Sequence, residues 1–73
     1  MDIRKLVGVN VVRLRKERGL TQEAFSDIAG ITQSYLSQIE NGHVNLTLLG
    51  VNDIVQALAV QPDALFAAPS AAE

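Results

Sequence analysis

The stretch TQEAFSDIAGITQSYLSQIENG, which begins at Thr21, constrains the fold of this chain more than any other. Thr21 and Thr32 each precede a short run with helical spacing, and a threonine hydroxyl can accept a hydrogen bond from an amide of a helix's first turn. Gly30 separates the two runs and tolerates the positive φ of a sharp turn. The stretch therefore predicts two short helices joined by a glycine turn, at about 22–29 and 33–41.

The two sides of the later helix differ in character. Leu36 and Ile39 are three residues apart and should point into the core. The other side carries only uncharged polar side chains: Gln33, Ser34, Ser37 and Gln38. Such a face is most often simply solvated, and contact with DNA bases is the functional alternative.

Apolar spacing predicts a helix on each side of this pair. The first spans residues 3–18, and its basic last turn followed by Gly19 is typical of a helix C-terminus. The other begins after the cap residue Thr47 and ends near Leu58. Its inner stripe is predicted at Leu48, Val51, Ile54, Val55 and Leu58.

A fifth short helix, PDALF, is predicted to begin at Pro62, and its Leu65 and Phe66 should close the core. No segment has the alternation of a strand. The sequence therefore predicts an all-α fold in one domain at residues 1–67, followed by a disordered tail at 68–73.

Composition excludes several classes of function. A chain of 73 residues makes one small domain without a large enclosed active site. It has no cysteine and a single histidine, which argues against metal or redox chemistry, and its carboxylates lack close partners for acid–base catalysis. No apolar run approaches the roughly 20 residues that cross a bilayer. We therefore expect a cytoplasmic protein that is not an enzyme and binds no cofactor, metal or membrane.

Charge is unevenly distributed along the chain, whose net charge is −2. All six basic residues lie within positions 1–20, where the local charge is +4, and positions 21–73 carry only acids, with a charge of −6. The basic residues are Arg4, Lys5, Arg13, Arg15, Lys16 and Arg18. Attraction to phosphate must therefore come mainly from the first helix.

These segments together resemble the phage repressor and Cro type of helix-turn-helix proteins, the Xre-like family. The resemblance covers about residues 7–66 and is carried by LTQEAF, the glycine that follows it, YLSQIENG, NLTL, ALAV and PDALF. It implies a five-helix lambda-repressor-like domain that binds double-stranded DNA and regulates transcription, for example as a repressor. The length and the NLTL run are similar to controller proteins of restriction-modification systems.

The resemblance also implies roles for individual residues. It makes 33–41 the recognition helix, with DNA bases read by Gln33, Ser34, Ser37 and Gln38. It gives Gln22 a phosphate contact and a brace to Gln33. Phosphate contacts are further expected from Tyr35, Asn41, His43 and Arg13, and the alternatives are half-buried packing for Tyr35 and a solvated loop position for His43. Arg15 and Glu40 match a structural ion pair of the family.

The chain departs from the family pattern after the recognition helix. HVNL stands where relatives often carry Lys or Arg, so amides, hydroxyls and the first helix must bind phosphate. The chain is 48% hydrophobic, and its surplus leucines indicate an exposed apolar patch. We predict a homodimer contact at Leu46, Leu49, Leu65 and Phe66; the alternative is that these residues thicken a small core.

Two classes of function remain open. The first is a transcription regulator that binds a roughly palindromic operator as a homodimer. The second is a protein-interaction module of the same fold, such as an antitoxin or an adaptor, in which the acidic balance and the exposed leucines serve a protein partner.

Overall fold

A computed structural model describes residues 1–68, which form four α-helices and one short 3₁₀ helix. The helices are α1 (Ile3–Glu17), α2 (Gln22–Ala29), α3 (Gln33–Glu40), α4 (Leu48–Leu58) and the 3₁₀ helix (Pro62–Phe66). No strand occurs in this part of the chain, so the all-α prediction is confirmed. The tail predicted at 68–73 lies outside the described residues from Pro69 onward.

Threonine caps determine where α2, α3 and α4 begin. Each threonine Oγ1 accepts a hydrogen bond of 3.0 Å from the amide three residues later. The three pairs are Thr21 with Ala24, Thr32 with Tyr35 and Thr47 with Gly50. Each bond satisfies an amide that the first turn leaves without a partner. These helices start as predicted, whereas α1 and α3 end one residue earlier than predicted.

The turn between α2 and α3 depends on Gly30, whose φ is 73°. Residues with a Cβ rarely adopt this left-handed conformation. The amides of Gly30 and Ile31 donate hydrogen bonds back to the carbonyls of Asp27 and Ser26, which closes the last turn of α2. The chain can then reverse within two residues and pack α3 against α2.

The fifth predicted helix is a 3₁₀ helix rather than an α-helix, which leaves four α-helices instead of five. Pro62 occupies its first position and the segment is five residues long. So short a segment closes at most one α-helical hydrogen bond, and the tighter i→i+3 pattern is the usual result. In this i→i+3 pattern, the amide of Ala64 donates to the carbonyl of Gln61 at 3.0 Å.

One core lies between the helices, with α1 against α3 and the 3₁₀ helix, and α2 against α3 and α4. The buried apolar residues are Val7, Val11, Leu14, Phe25, Leu36, Ile39, Ile54, Val55, Leu58 and Leu65. Leu48 was predicted to join them, but it is 89% exposed. Its angular position around the axis of α4 is that of the core-facing residues. However, it is the first residue of that helix and borders an open groove rather than the core.

Candidate nucleic-acid interface

Helix α3 presents a neutral polar face to solvent. Leu36 and Ile39 are buried, whereas Gln33, Ser34 and Gln38 are exposed and Ser37 is half-buried. The only charged side chain of α3 is that of Glu40, and it is buried. The face therefore offers amides and hydroxyls, which both donate and accept hydrogen bonds, and no charge.

Three side chains meet at the end of α3 and form what we call the Glu40 cluster: Arg15, Gln22 and Glu40. Arg15 Nε and Nη2 donate to the two carboxylate oxygens of Glu40, at 2.7 and 3.0 Å. Arg15 Nη1 also donates to the carbonyl of Leu20 at 2.9 Å. This parallel arrangement is a strong, directional form of ion pair. The cluster ties α3 to α1 and to the segment that leads into α2.

Gln22 is bound differently from the expectation. Its Nε2 donates to Glu40 Oε1 at 2.9 Å, and no hydrogen bond joins it to Gln33 within the described part of the chain. The predicted brace between the two glutamines is thus replaced by a bond to Glu40, because that carboxylate lies within reach beside the start of α2. An amide nitrogen has two hydrogens, so one remains available to an outside acceptor.

Glycine lets α1 approach α3 backbone to backbone, a feature that the sequence analysis did not identify. A Cβ on Gly8 would lie 2.6 Å from the carbonyl oxygens of Ile39 and Glu40. A Cβ on Gly42 would lie 2.7 Å from Cγ of Lys5. Any larger side chain at either position would push α3 away from α1. A glycine inside an otherwise helical segment was the available signal.

The residues after α3 contribute side chains rather than amides. Asn41 and His43 are exposed, and so is much of Tyr35. The backbone amides of Asn41, Gly42 and His43 already donate to carbonyls within the last turn of α3. The expectation that loop amides bind phosphate is therefore corrected for these residues, because the helix end uses them itself.

Arg13, predicted to contact phosphate, lies on another side of the molecule. Its guanidinium donates to Glu17 Oε2 at 3.0 Å and to Asn10 Oδ1 at 3.2 Å. Asn10 in turn donates to the carbonyl of Leu65, so this side of α1 lies against the C-terminal segment. At about 100° per residue, positions 13 and 15 point about 160° apart around α1. The structure does not bring Arg13 to the face that Arg15 supports.

Asn10 is a second residue that the sequence analysis missed. It is buried, and its Nδ2 lies within hydrogen-bond distance of three carbonyl oxygens. These belong to Leu6, Leu65 and Ala67, at 3.1, 2.8 and 2.9 Å. The only sign of this role in the sequence was that Asn10 is a polar residue next to the apolar stripe of α1. It attaches the C-terminal segment to α1.

The four residues predicted for a dimer contact are not equivalent. Leu65 has no exposed surface and belongs to the core, so that part of the prediction is wrong: an inward side chain of the 3₁₀ helix cannot meet a partner. Leu49 is 77% and Phe66 44% exposed, and Leu46 is half-buried. Leu46, Leu48 and Phe66 border one open apolar groove, together with Ile3, Val7, Val44 and Val51.

The helices of residues 1–68 and the grouping of their ligand-type side chains bear on membrane and metal binding. None of their helices has the length and apolar character needed to span a bilayer. No three side chains of the ligand types His, Cys, Asp and Glu lie close enough together to hold an ion in this region.

Comparison with known proteins agrees with this geometry. The helix-turn-helix family HTH_3 matches residues 11–65. The uncharacterized HTH-type transcriptional regulator y4dJ of Sinorhizobium fredii is 50% identical over 60 residues, which cover 82% of this chain and 78% of that protein. The control protein C.MunI of a Mycoplasma species is 35% identical over 66 residues, 89% of each chain.

Solved structures show the same similarity. The crystal structure of the restriction-modification controller protein C.AhdI from Aeromonas hydrophila superposes with a TM-score of 0.82 at 30% identity, over 86% of this chain and 96% of that one. A hypothetical transcription factor from Neisseria, NHTF, superposes with a TM-score of 0.87 at 26% identity, over 93% and 78%. The resemblance to Xre-like proteins is therefore confirmed. The chain belongs to the HTH_3 helix-turn-helix family of DNA-binding transcriptional regulators.

Proposed function

We propose that this chain is a sequence-specific transcription regulator that binds a roughly palindromic DNA operator as a homodimer, and we assign the activity to residues 1–67. The observation that carries the proposal is the placement of α3. Gln33, Ser34 and Gln38 face outward from it, while Glu40 at its end is fixed to Arg15 of α1. A polar face on a rigidly held helix is what reading DNA in the major groove requires.

The chemistry of the exposed face fits base edges. A glutamine amide can pair with adenine through two hydrogen bonds: its carbonyl oxygen accepts from N6, and its nitrogen donates to N7. A serine hydroxyl donates or accepts and so serves several bases. Gln33 and Ser34 lie in the first turn of α3, the end that enters the groove in this class of domain. We therefore assign base reading to Gln33, Ser34, Ser37 and Gln38.

Contacts to the DNA backbone are assigned to residues within α3 and on either side of it. Gln22 keeps one amide hydrogen beyond its bond to Glu40, and Tyr35, Asn41 and His43 have exposed side chains. Gln22, Tyr35 and Asn41 bring no positive charge to these contacts. Binding should therefore lose less affinity with added salt than it does in strongly basic DNA-binding domains.

The apolar groove and the adjoining leucines supply the dimer surface. Leu48 and Leu49 project from the start of α4, and Leu46 and Phe66 border the groove beside them. We propose that a second copy covers these residues about a twofold axis. Twofold symmetry would place two α3 helices about one DNA turn apart, which matches a palindromic site.

Selection of bound duplexes from a random pool tests the proposal. We expect enrichment of one half-site in two inverted copies, followed by mobility shifts that weaken as salt rises from about 50 to about 200 mM. If the purified protein shifts no duplex, DNA binding is contradicted. If it selects single half-sites without symmetry, the homodimeric mode is contradicted.

The exposed leucines also support a second candidate, a protein-interaction module such as an antitoxin or an adaptor. Leu48 and Leu49 are 89% and 77% exposed, and of the acids at positions 21–68 only Glu40 is paired with a base, Arg15, in the part of the chain that the structure describes. This candidate predicts weak binding with no preference among duplexes. The same selection therefore separates the two functions, because only the regulator enriches a sequence.

A further inference from the structure

The face that carries α3 lacks cations of its own. No Lys or Arg occurs anywhere in positions 21–73, so none lies on α2, on α3 or in the segment between α3 and α4. A protein that binds duplex DNA gains much of its affinity by neutralising phosphates with such residues. Any Lys or Arg beside α3 must therefore come from positions 1–20.

Lys5 lies where that cation is needed. A Cβ on Gly42 would lie 2.7 Å from Lys5 Cγ and 2.9 Å from Lys5 Cα, so the lysine stem passes close to Gly42, the second residue after α3. Lys5 is exposed, and so are Asn41 and His43, the two residues on either side of Gly42. The four-carbon stem can carry the ammonium past Gly42 toward the surface on which α3 ends.

Lys5 is not committed to another partner within residues 1–68. It forms no ion pair and no side-chain hydrogen bond there, whereas Arg4 beside it donates to both oxygens of Asp2. Those hydrogen bonds from Arg4 hold the pKa of Asp2 below its ordinary value, and the charge of Lys5 adds the smallest contribution. Glu40, the nearest acid of α3, is satisfied by Arg15 and Gln22.

We propose that Lys5 contacts a DNA backbone phosphate beside the C-terminal end of α3. The first turn of α1 thereby supplies the positive charge that the segment after α3 lacks, because Lys5 lies against Gly42. The inference rests on the proposed DNA binding and assigns a phosphate contact to one particular residue among the six basic ones. A purely structural alternative is that the ammonium only stabilises the negative end of the α3 dipole.

Salt dependence distinguishes the two roles. Lys5→Met keeps an unbranched stem beside Gly42 and removes the ammonium, and Arg13→Met removes one positive charge from the side of α1 that points about 160° away from Arg15. Dissociation constants for a selected duplex are measured between about 50 and 200 mM salt, beside thermal melting of each variant. Loss of one phosphate contact lowers the slope of log affinity against log salt by about 0.9.

We expect Lys5→Met to lower the slope by about 0.9, so that its defect relative to wild type shrinks about 3.5-fold over this salt range. Arg13→Met should keep the wild-type slope, and Lys5→Arg should retain it as well. An unchanged slope for Lys5→Met, with wild-type binding intact, would overturn this inference alone. A wild-type protein that binds no duplex would overturn the proposed function and this inference together. If Lys5→Met fails to fold, Lys5→Gln takes its place. A slope lower by about 0.9 for this variant supports the inference, and an unchanged slope overturns it.

Discussion

The guanidinium of Arg15 and the carboxylate of Glu40 form two parallel hydrogen bonds, of 2.7 and 3.0 Å, between side chains that are 9% and 5% exposed. Arg15 belongs to α1 and Glu40 ends α3, so the pair sets the position of α3 relative to α1. Gln22 binds the same carboxylate, and the two neighbours satisfy it. Removing either charge would leave the other buried without its partner.

We predict that Arg15→Ala or Glu40→Ala lowers the free energy of unfolding by about 3–5 kcal/mol, the usual effect of stranding a buried charge. DNA binding should weaken in proportion to the fraction unfolded. Urea titration followed by circular dichroism measures the change. Lys16→Ala, next to Arg15 but exposed, is the control and should stay within about 0.5 kcal/mol of wild type. Normal unfolding together with lost DNA binding would contradict this account.

Replacing Gly8 with alanine should destabilise the protein, although the same change in an exposed helix stabilises it by about 1 kcal/mol. The new Cβ would meet the carbonyl oxygens of Ile39 and Glu40 at 2.6 Å, and these backbone atoms cannot move without shifting α3. We expect a net loss of about 1–3 kcal/mol in the free energy of unfolding. A higher melting temperature for Gly8→Ala would show that the two helices are not in such close contact.

Comparing substitutions at Gly30 and Gly42 tests the contact between Gly42 and Lys5. Both have positive φ, 73° and 77°, so alanine at either position costs about 1–2 kcal/mol in backbone strain. Only at Gly42 does a Cβ also meet Lys5, because the space around Gly30 is open. Gly42→Ala should therefore reduce stability more than Gly30→Ala in parallel melting experiments. Equal losses would argue against the Lys5 contact.

Gln33→Ala should change which sequences are bound, whereas Gln22→Ala should weaken binding to all of them. A bidentate amide–adenine contact discriminates by about 1–3 kcal/mol at one base pair, while a phosphate contact carries no sequence information. Binding to the selected operator and to its single-base variants measures both effects. If Gln33→Ala keeps the wild-type ranking of these variants, base reading by this residue is refuted.

If the proposed dimer forms, Leu48→Asp should convert it to a monomer, because the substitution would place a charge in a buried apolar contact. Ile28→Asp is the control, since Ile28 is also more than half exposed but lies on α2 and outside the groove. Sedimentation at tens of micromolar protein measures the change. A monomeric wild type, or a dimer that tolerates Leu48→Asp, would contradict the proposed contact surface.

Local chemistry explains what could be predicted from the sequence. The starts of α2, α3 and α4 follow from threonine caps, which act through the amide three residues away, and the turn after α2 follows from the backbone freedom of Gly30. The polar face of α3 follows from spacing alone. In each case the determining atoms lie within one helical turn of one another along the chain.

The failures concern contacts between distant segments. Gly8 meets carbonyl oxygens of the end of α3, and a glycine inside a helical segment does not by itself show which backbone approaches it. Leu48 lies on the same side of the α4 axis as the core residues, but the other helices do not cover the first turn of α4. Arg13 is held by Glu17 and by Asn10, and helix spacing alone could not show which side of α1 faces α3.

The bonds of Asn10 to the C-terminal segment have a consequence for synthesis. The carbonyls of Leu65 and Ala67 that Asn10 contacts are 55 and 57 residues further along the chain. During translation α1 emerges before these acceptors, so the Asn10 amide can bind them only after the chain has been made as far as Ala67. Truncated products, which lack Leu65, would therefore leave α1 incompletely packed and remain recognisable to the proteases that clear unfinished chains.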